Sequence, residues 1–274
     1  WFRSGGFTDE CGVRHTSRHR YAIPFFEVLN EMEHIWSRRA ADKDAPKEYT
    51  RLFDAVARGI INHARADDPP IRLVGLGGGL TYLPPSFAFT EALLSRSQHL
   101  DMLGMVSAHD YSVVADYTVA SLESVFHQID HFVERLREAV DVKNKLAPHV
   151  KAIVDEFGTN FHGCGTDECQ GYPQPGSKLD RRFQSLAAAA FAYGWAQFGR
   201  NGADSVGCSQ YNGYFASPQN PLYLKNEFGE ATLTDTYYPA LSMYDYRSGL
   251  PQPRYWAMRM LHEELTVPGC RPVI

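Results

Sequence analysis

An α/β fold on a parallel sheet is predicted by the way short apolar runs alternate with longer helical patterns along this 274-residue chain. The apolar runs are of strand length, and helical spacing resumes after each of them. Length adds a second constraint, since a complete barrel of eight strand–helix units takes roughly 250 residues. Neither a G-x-G-x-x-G opening a helix after the first strand nor a G-x-x-x-x-G-K-[ST] occurs, so no dinucleotide or phosphate cradle is indicated. Periodicity alone leaves both an open doubly wound sheet and a closed barrel available.

The elements follow in order. Residues 21–29 (YAIPFFEVL) are apolar and aromatic and predict a buried strand. Residues 48–66 place Leu52, Val56, Ile60 and Ile61 at helical spacing. Residues 71–76 (IRLVGL) form the second strand, and the glycines of 75–80 read as its closing turn. A short helix over 86–95 precedes a strand over 100–108 (LDMLGMVSA). The long helix over 122–146 carries apolar residues at 122, 125, 126, 129, 132, 133 and 136. Residues 150–154 (VKAIV) are the fourth strand, and 180–199 an Ala-rich helix closed by Gly199. Residues 204–211 (DSVGCSQY) are the fifth strand, and 254–265 (RYWAMRMLHEEL) the last helix.

Twenty-seven basic against 32 acidic residues leave a net charge of −5, which gives no electrostatic reason to expect nucleic acid as a partner. No apolar run reaches the roughly 20 residues that span a bilayer. Five cysteines are too few for a disulfide scaffold. Cys164 and Cys169, in the polar segment GCGTDECQGYPQPG, are close enough in sequence for a local disulfide, while zinc would find only His162 as a further nearby ligand. This cysteine usage leans toward an extracellular or lumenal compartment. The start at Trp1 rather than Met is expected to reflect processing, trimming or a fragment.

Chemistry in parallel α/β folds gathers at the C-terminal ends of strands. Those ends read Asn30-Glu31, His109-Asp110-Tyr111, Asp155-Glu156 and Gln210-Tyr211-Asn212. Two carboxylates at separate strand ends, each with an amide or aromatic companion, are what glycoside hydrolysis needs: one acid for the leaving oxygen, one carboxylate across the sugar. A lone strand-end Glu would read as a solvated charge.

FFEVLNEMEH at 25–34 resembles the fourth-strand segment of clan A glycoside hydrolases, where an Asn-Glu pair ends the strand. AIVDEFGT at 152–159 resembles their seventh-strand segment, which carries the nucleophile. SQYNGY at 209–214, YYPALSMYDYRSG and PRYWAMRMLHEEL are similar to the closing part of glycoside hydrolase family 39, the β-xylosidase and α-L-iduronidase family. The resemblance implies a (β/α)8 TIM-barrel type of fold and a retaining, two-glutamate hydrolysis that needs no cofactor and no metal. It implies Glu31 as general acid/base and Glu156 as nucleophile, with Asn30 bonding the sugar 2-hydroxyl. Tyr111 or His109 would orient or tune Glu156. Weaker expectations put Gln210 and Asn212 on sugar hydroxyls and Trp36, His34 and Tyr246 in an aromatic platform. His162 is a further candidate for the cleft. Glu27, inside the first strand, is not the expected acid. Asp155 should point away from Glu156, as strand neighbours do. Arg181 and Arg182 read as a solvated face.

Only about 20 residues precede the strand that the resemblance numbers fourth, too few for three units of some 30 residues each. The five strands therefore read as strands four to eight of a single partial barrel over 1–274, with open edges that favour self-association. Besides a glycosidase acting on a carbohydrate substrate, the missing strands allow a non-catalytic carbohydrate-binding remnant. A metal-dependent hydrolase on His34, His109 and His162 lacks an H-x-H or H-E-x-x-H signature.

Overall fold

The computed structural model describes residues 3–31, 44–64, 70–78, 87–114, 118–161, 181–209, 214–215, 224–225, 231–232, 236–237, 243–244 and 249–265. Five helices lie among them: α1 (Ala45–His63), α2 (Phe87–Arg96), α3 (Val119–Leu146), α4 (Arg181–Arg200) and α5 (Pro253–Leu265). The strands of the main sheet are β3 (Phe25–Glu27), β4 (Arg72–Gly78), β5 (Leu103–Val114), β6 (Lys151–Phe161) and β7 (Ser205–Cys208). An antiparallel hairpin, β1 (Gly6–Thr8) with β2 (Arg14–Thr16), precedes them. Four two-residue strands after β7 make two further antiparallel pairs.

The sheet order is β3-β4-β5-β6-β7, and the pairs β3–β4, β4–β5 and β6–β7 run parallel. A doubly wound sheet reverses its order at a switch point. This order never reverses, which is the winding of a barrel. The fold is thus the expected α/β type, a five-strand portion of a barrel. None of the helices of the described residues is long and apolar enough to cross a membrane.

The described residues form two compact units, one of residues 1–108 and 139–152, the other of 109–138 and 153–274. In the first, α1 has Pro46 at its second position, where a missing N–H costs nothing, and Glu48 in its first turn. It buries Tyr49, Phe53 and Ala57, one residue per turn. Asp54, on the same helix, accepts hydrogen bonds from the Ser97 hydroxyl (2.6 Å) and the Gln98 amide (3.1 Å), which anchors the segment after α2. Gly75 lets α2 approach β4, since a Cβ there would lie 2.6 Å from Leu93.

In the second unit an aromatic cluster forms the core. The buried Phe157 ring of β6 stacks on Phe191 at 5.6 Å and meets Phe198 edge-on at 4.9 Å, and Phe198 meets Phe132 of α3 edge-on at 5.1 Å. Gly194 on α4 makes room for Phe157.

The structure corrects several boundaries. The first strand of the sheet is confined to Phe25–Glu27, with Phe25 and Phe26 both exposed, so the apolar run 21–29 does not make a long buried strand. β5 and β6 continue to Val114 and Phe161, so His109-Asp110-Tyr111 and Asp155-Glu156 lie inside strands rather than beyond them. Gly75, Gly77 and Gly78 belong to β4 itself rather than to a closing turn. The hairpin β1–β2 had no counterpart in the apolar pattern.

Phe157 fills its site without exposure. Phe157→Ala is expected to cost roughly 3–5 kcal/mol, measured by urea unfolding of the variant against the parent chain.

Candidate active site

The second unit builds its polar cluster on a bulge. Val154 pairs with Val206 and Phe157 with Cys208, so three steps along β6 match two along β7. One residue of β6 is extra. Neighbouring side chains in a regular strand point to opposite faces, yet Asp155 and Glu156 both reach His109. His109 Nε2 lies 3.5 Å from Asp155 Oδ1, and its Nδ1 lies 3.5 Å from Glu156 Oε2. The expectation that Asp155 turns away from Glu156's surroundings is thereby corrected, and the bulge is the physical reason. Gly207 faces it from β7, where a Cβ would sit 2.6 Å from the Asp155 carbonyl oxygen.

The Tyr111 hydroxyl donates to Glu156 Oε2 and lies 2.7 Å from Ser209 Oγ. A phenol carries one proton, and a carboxylate is the stronger acceptor, so that proton goes to Glu156. His109 has no exposed side-chain surface, whereas a third of the Glu156 side chain is open to solvent. Glu156 is therefore held from the buried side and open on the other.

Two groups behind this cluster were not singled out from sequence. Ser209 opens the SQYNGY segment, and Arg254 opens the last helical pattern. Arg254 is buried at 2% exposure, and burial lowers the proton affinity of its guanidinium, against smaller opposing effects of Cys208 and Tyr111. Their positions inside the closing segments were the available signal. Cys208 is held as a thiol: burial pushes it up to about 11, so it supplies no thiolate nucleophile at neutral pH. Asp110 is also buried, and burial raises its carboxyl well above the usual carboxylate range.

In the first unit the segment after β3 carries Asn30, exposed, and Glu31, half-buried. Its backbone is strained: Leu29 has φ +66° and Glu31 φ +51°, facing Leu76 at +89° and Gly77 at +47°. Left-handed backbone costs a side-chain-bearing residue about 1–2 kcal/mol, and such strain persists only where neighbours hold it. Tyr49 of α1 supplies part of the hold, donating to the Val28 carbonyl (3.1 Å) and accepting from the Leu76 amide (2.6 Å). The Val28 amide reaches the Val74 carbonyl at 2.9 Å, and the Glu31 amide reaches that of Gly77 at 2.5 Å.

Of the predicted site residues, Asn30 and Glu31 lie together in the first unit, and His109, Tyr111 and Glu156 in the second. Gln210, Asn212, Trp36, His34, Tyr246, His162, Cys164 and Cys169 lie outside the described residues, as do the side chains of Arg181 and Arg182. Among the described residues Cys11 and Cys208 are free thiols.

No family model and no curated protein matches the chain. Solved structures do, at low identity. A family 51 α-L-arabinofuranosidase from Bifidobacterium longum is 16% identical over 69% of this chain and 38% of its own length, with a TM-score of 0.48. An α-L-arabinofuranosidase from Thermotoga maritima is 14% identical over 70% of this chain and 35% of its own, also at 0.48. A family 5 mannosidase from Rhizomucor miehei is 14% identical over 80% and 45%, at 0.46. The chain thus spans less than half the length of each of these glycoside hydrolases.

The raised Asp110 carboxyl gives a pH test. Between the ordinary carboxylate range and the raised folded value, the folded chain binds the extra proton, so stability falls as pH rises through that window. Asp110→Asn removes this term. Its melting temperature relative to the parent is expected to climb from about pH 4 upward, as thermal melts across pH will show.

Proposed function

We propose that this chain is a retaining glycosidase cleaving O-glycosidic bonds, with Glu156 as nucleophile and Glu31 as general acid/base. The observation that supports it most is the treatment of Glu156. Its carboxyl group accepts the Tyr111 phenol and lies 3.5 Å from the buried His109 ring, on a strand locally reshaped by a bulge. A donor bonded to a carboxylate fixes the direction of its oxygens, and a carboxylate oxygen held in place is what attacks an anomeric carbon.

In the proposed reaction Glu156 displaces the leaving group to form a glycosyl ester, while Glu31 gives its proton to the departing oxygen. Glu31, then ionised, takes a proton from water as that water attacks the ester. The sugar returns to its starting anomeric configuration and both glutamates to their starting protonation. Asn30, next to Glu31, is proposed to bond the 2-hydroxyl, where hydrogen bonds strengthen in the transition state. Gln210, Asn212 and Trp36 are proposed sugar contacts. The family 39 resemblance makes β-xylosides and α-L-iduronides the first substrates to test.

Incubation with a 2-deoxy-2-fluoro glycosyl fluoride, followed by peptide mass spectrometry, is expected to find the sugar on Glu156. Glu156→Gln should lower kcat by about 10³-fold or more while leaving the melting curve intact. Labelling of a different residue, or unchanged turnover in the variant, refutes the assignment.

A further inference from the structure

Glu27 lies in β3, four residues before Glu31, and its side chain is exposed. Even so, its Oε1 reaches a buried hydroxyl: Ser107 Oγ on β5 is 2.5 Å away. The path crosses β4 over Gly77. A Cβ at Gly77 would fall 3.1 Å from Glu27 Cδ and 2.8 Å from the Leu29 carbonyl oxygen, so any side chain there would close the crossing. Ser107 Oγ also receives the Gly77 amide at 2.8 Å and lies 3.1 Å from the Gly75 carbonyl. The hydroxyl has one proton, and the shorter contact, to the carboxyl group, is the one that takes it. On the other side of Gly77, its carbonyl accepts the Glu31 amide at 2.5 Å.

Both sides of Gly77 are therefore tied, its N–H to Ser107 and its carbonyl to Glu31. A glycine at φ +47° is otherwise the freest residue in the segment. Hydrogen bonds in a row polarise one another, and this row starts on a carboxyl group and ends on the main chain that carries Glu31. Such an arrangement exceeds what β4 needs for pairing, since the register with β5 is already broken between Gly75 and Gly78.

We infer that Glu27 and Ser107 are positioning residues that act through Gly77 to set the backbone, and hence the carboxyl direction, of Glu31. This rests on the reading of Glu31 as the general acid/base. Neither residue touches the sugar in this scheme. Their effect falls on proton delivery to the leaving group, a step that an activated leaving group does not need.

The test compares phenyl and 2,4-dinitrophenyl β-D-xylosides on the full chain and on Glu31→Ala, Ser107→Ala, Glu27→Ala and Glu27→Gln, with amide hydrogen exchange measured on each free protein. Ser107→Ala and Glu27→Ala are expected to lose roughly tenfold to hundredfold in kcat/KM on the phenyl substrate, and under about twofold on the dinitrophenyl one. Glu27→Gln keeps an acceptor oxygen and is expected to restore most of the loss. The Gly77 and Glu31 amides should exchange about tenfold faster in the two alanine variants, a readout that needs no turnover. Unchanged exchange at both amides overturns the inference, as does an equal loss on both substrates. If Glu31→Ala itself fails to discriminate the leaving groups, the acid/base assignment falls instead, and the two failures are told apart.

Discussion

Strand β6 fits one residue more than β7 between two points of register, and the side chains of the second unit's polar cluster follow from where that residue goes. A regular strand would send Asp155 and Glu156 to opposite faces. The bulge sends both toward His109, whose ring is fully enclosed and has one nitrogen near each carboxylate. Tyr111, two residues along β5, then completes the hold on Glu156. The cost of that irregularity is carried by Phe157 directly after it, which locks β6 against α4 through Phe191 and Phe198. Apolar packing of this kind is worth several kcal/mol, enough to hold a local backbone irregularity.

The first unit meets a similar demand by different means. Its polar segment leaves β3 through backbone that side chains resist, with Leu29, Glu31 and Leu76 all at positive φ. Among the described residues a lattice of hydrogen bonds pins it, running from the Tyr49 hydroxyl to Val28 and Leu76 and from the Ser107 hydroxyl to Gly77 and Glu27. Directional bonds suit this task, because they specify dihedral angles where dispersion contacts specify only volume.

Much of the architecture was legible in the chain. Helical periodicity located the five helices of the described residues to within a few residues, because side chains three and four apart share one face of an α-helix. The five strands of the sheet were legible as apolar runs, but their ends were not. His109, Tyr111 and Glu156 look like loop residues by polarity, yet they continue β5 and β6, where the Tyr111 hydroxyl donates to Glu156. The β6 bulge carries no mark in VKAIVDEFGT, since it is defined by the register against β7 and not by any residue of β6. Arg254 was equally hidden: an Arg at the start of an exposed-looking helix reads as solvated, and only packing shows it buried. Glu27 was legible as unusual, a carboxylate in an apolar run, but its link to Ser107 depends on a crossing over Gly77 that spans 80 residues of sequence.

Gly207 shows what such a register defect imposes on later change. Its missing side chain is the space into which the Asp155 peptide swells, so the smallest addition, one methyl group, meets main chain rather than a side chain that can swing aside. Position 207 is therefore coupled to positions 155 and 156 without touching their functional groups. A lineage that acquired any other residue there would have to flatten β6 first, and flattening would part the two carboxylates from a shared histidine. The glycine acts as a lock: a side chain there meets main chain, so the arrangement is hard to leave by single substitutions.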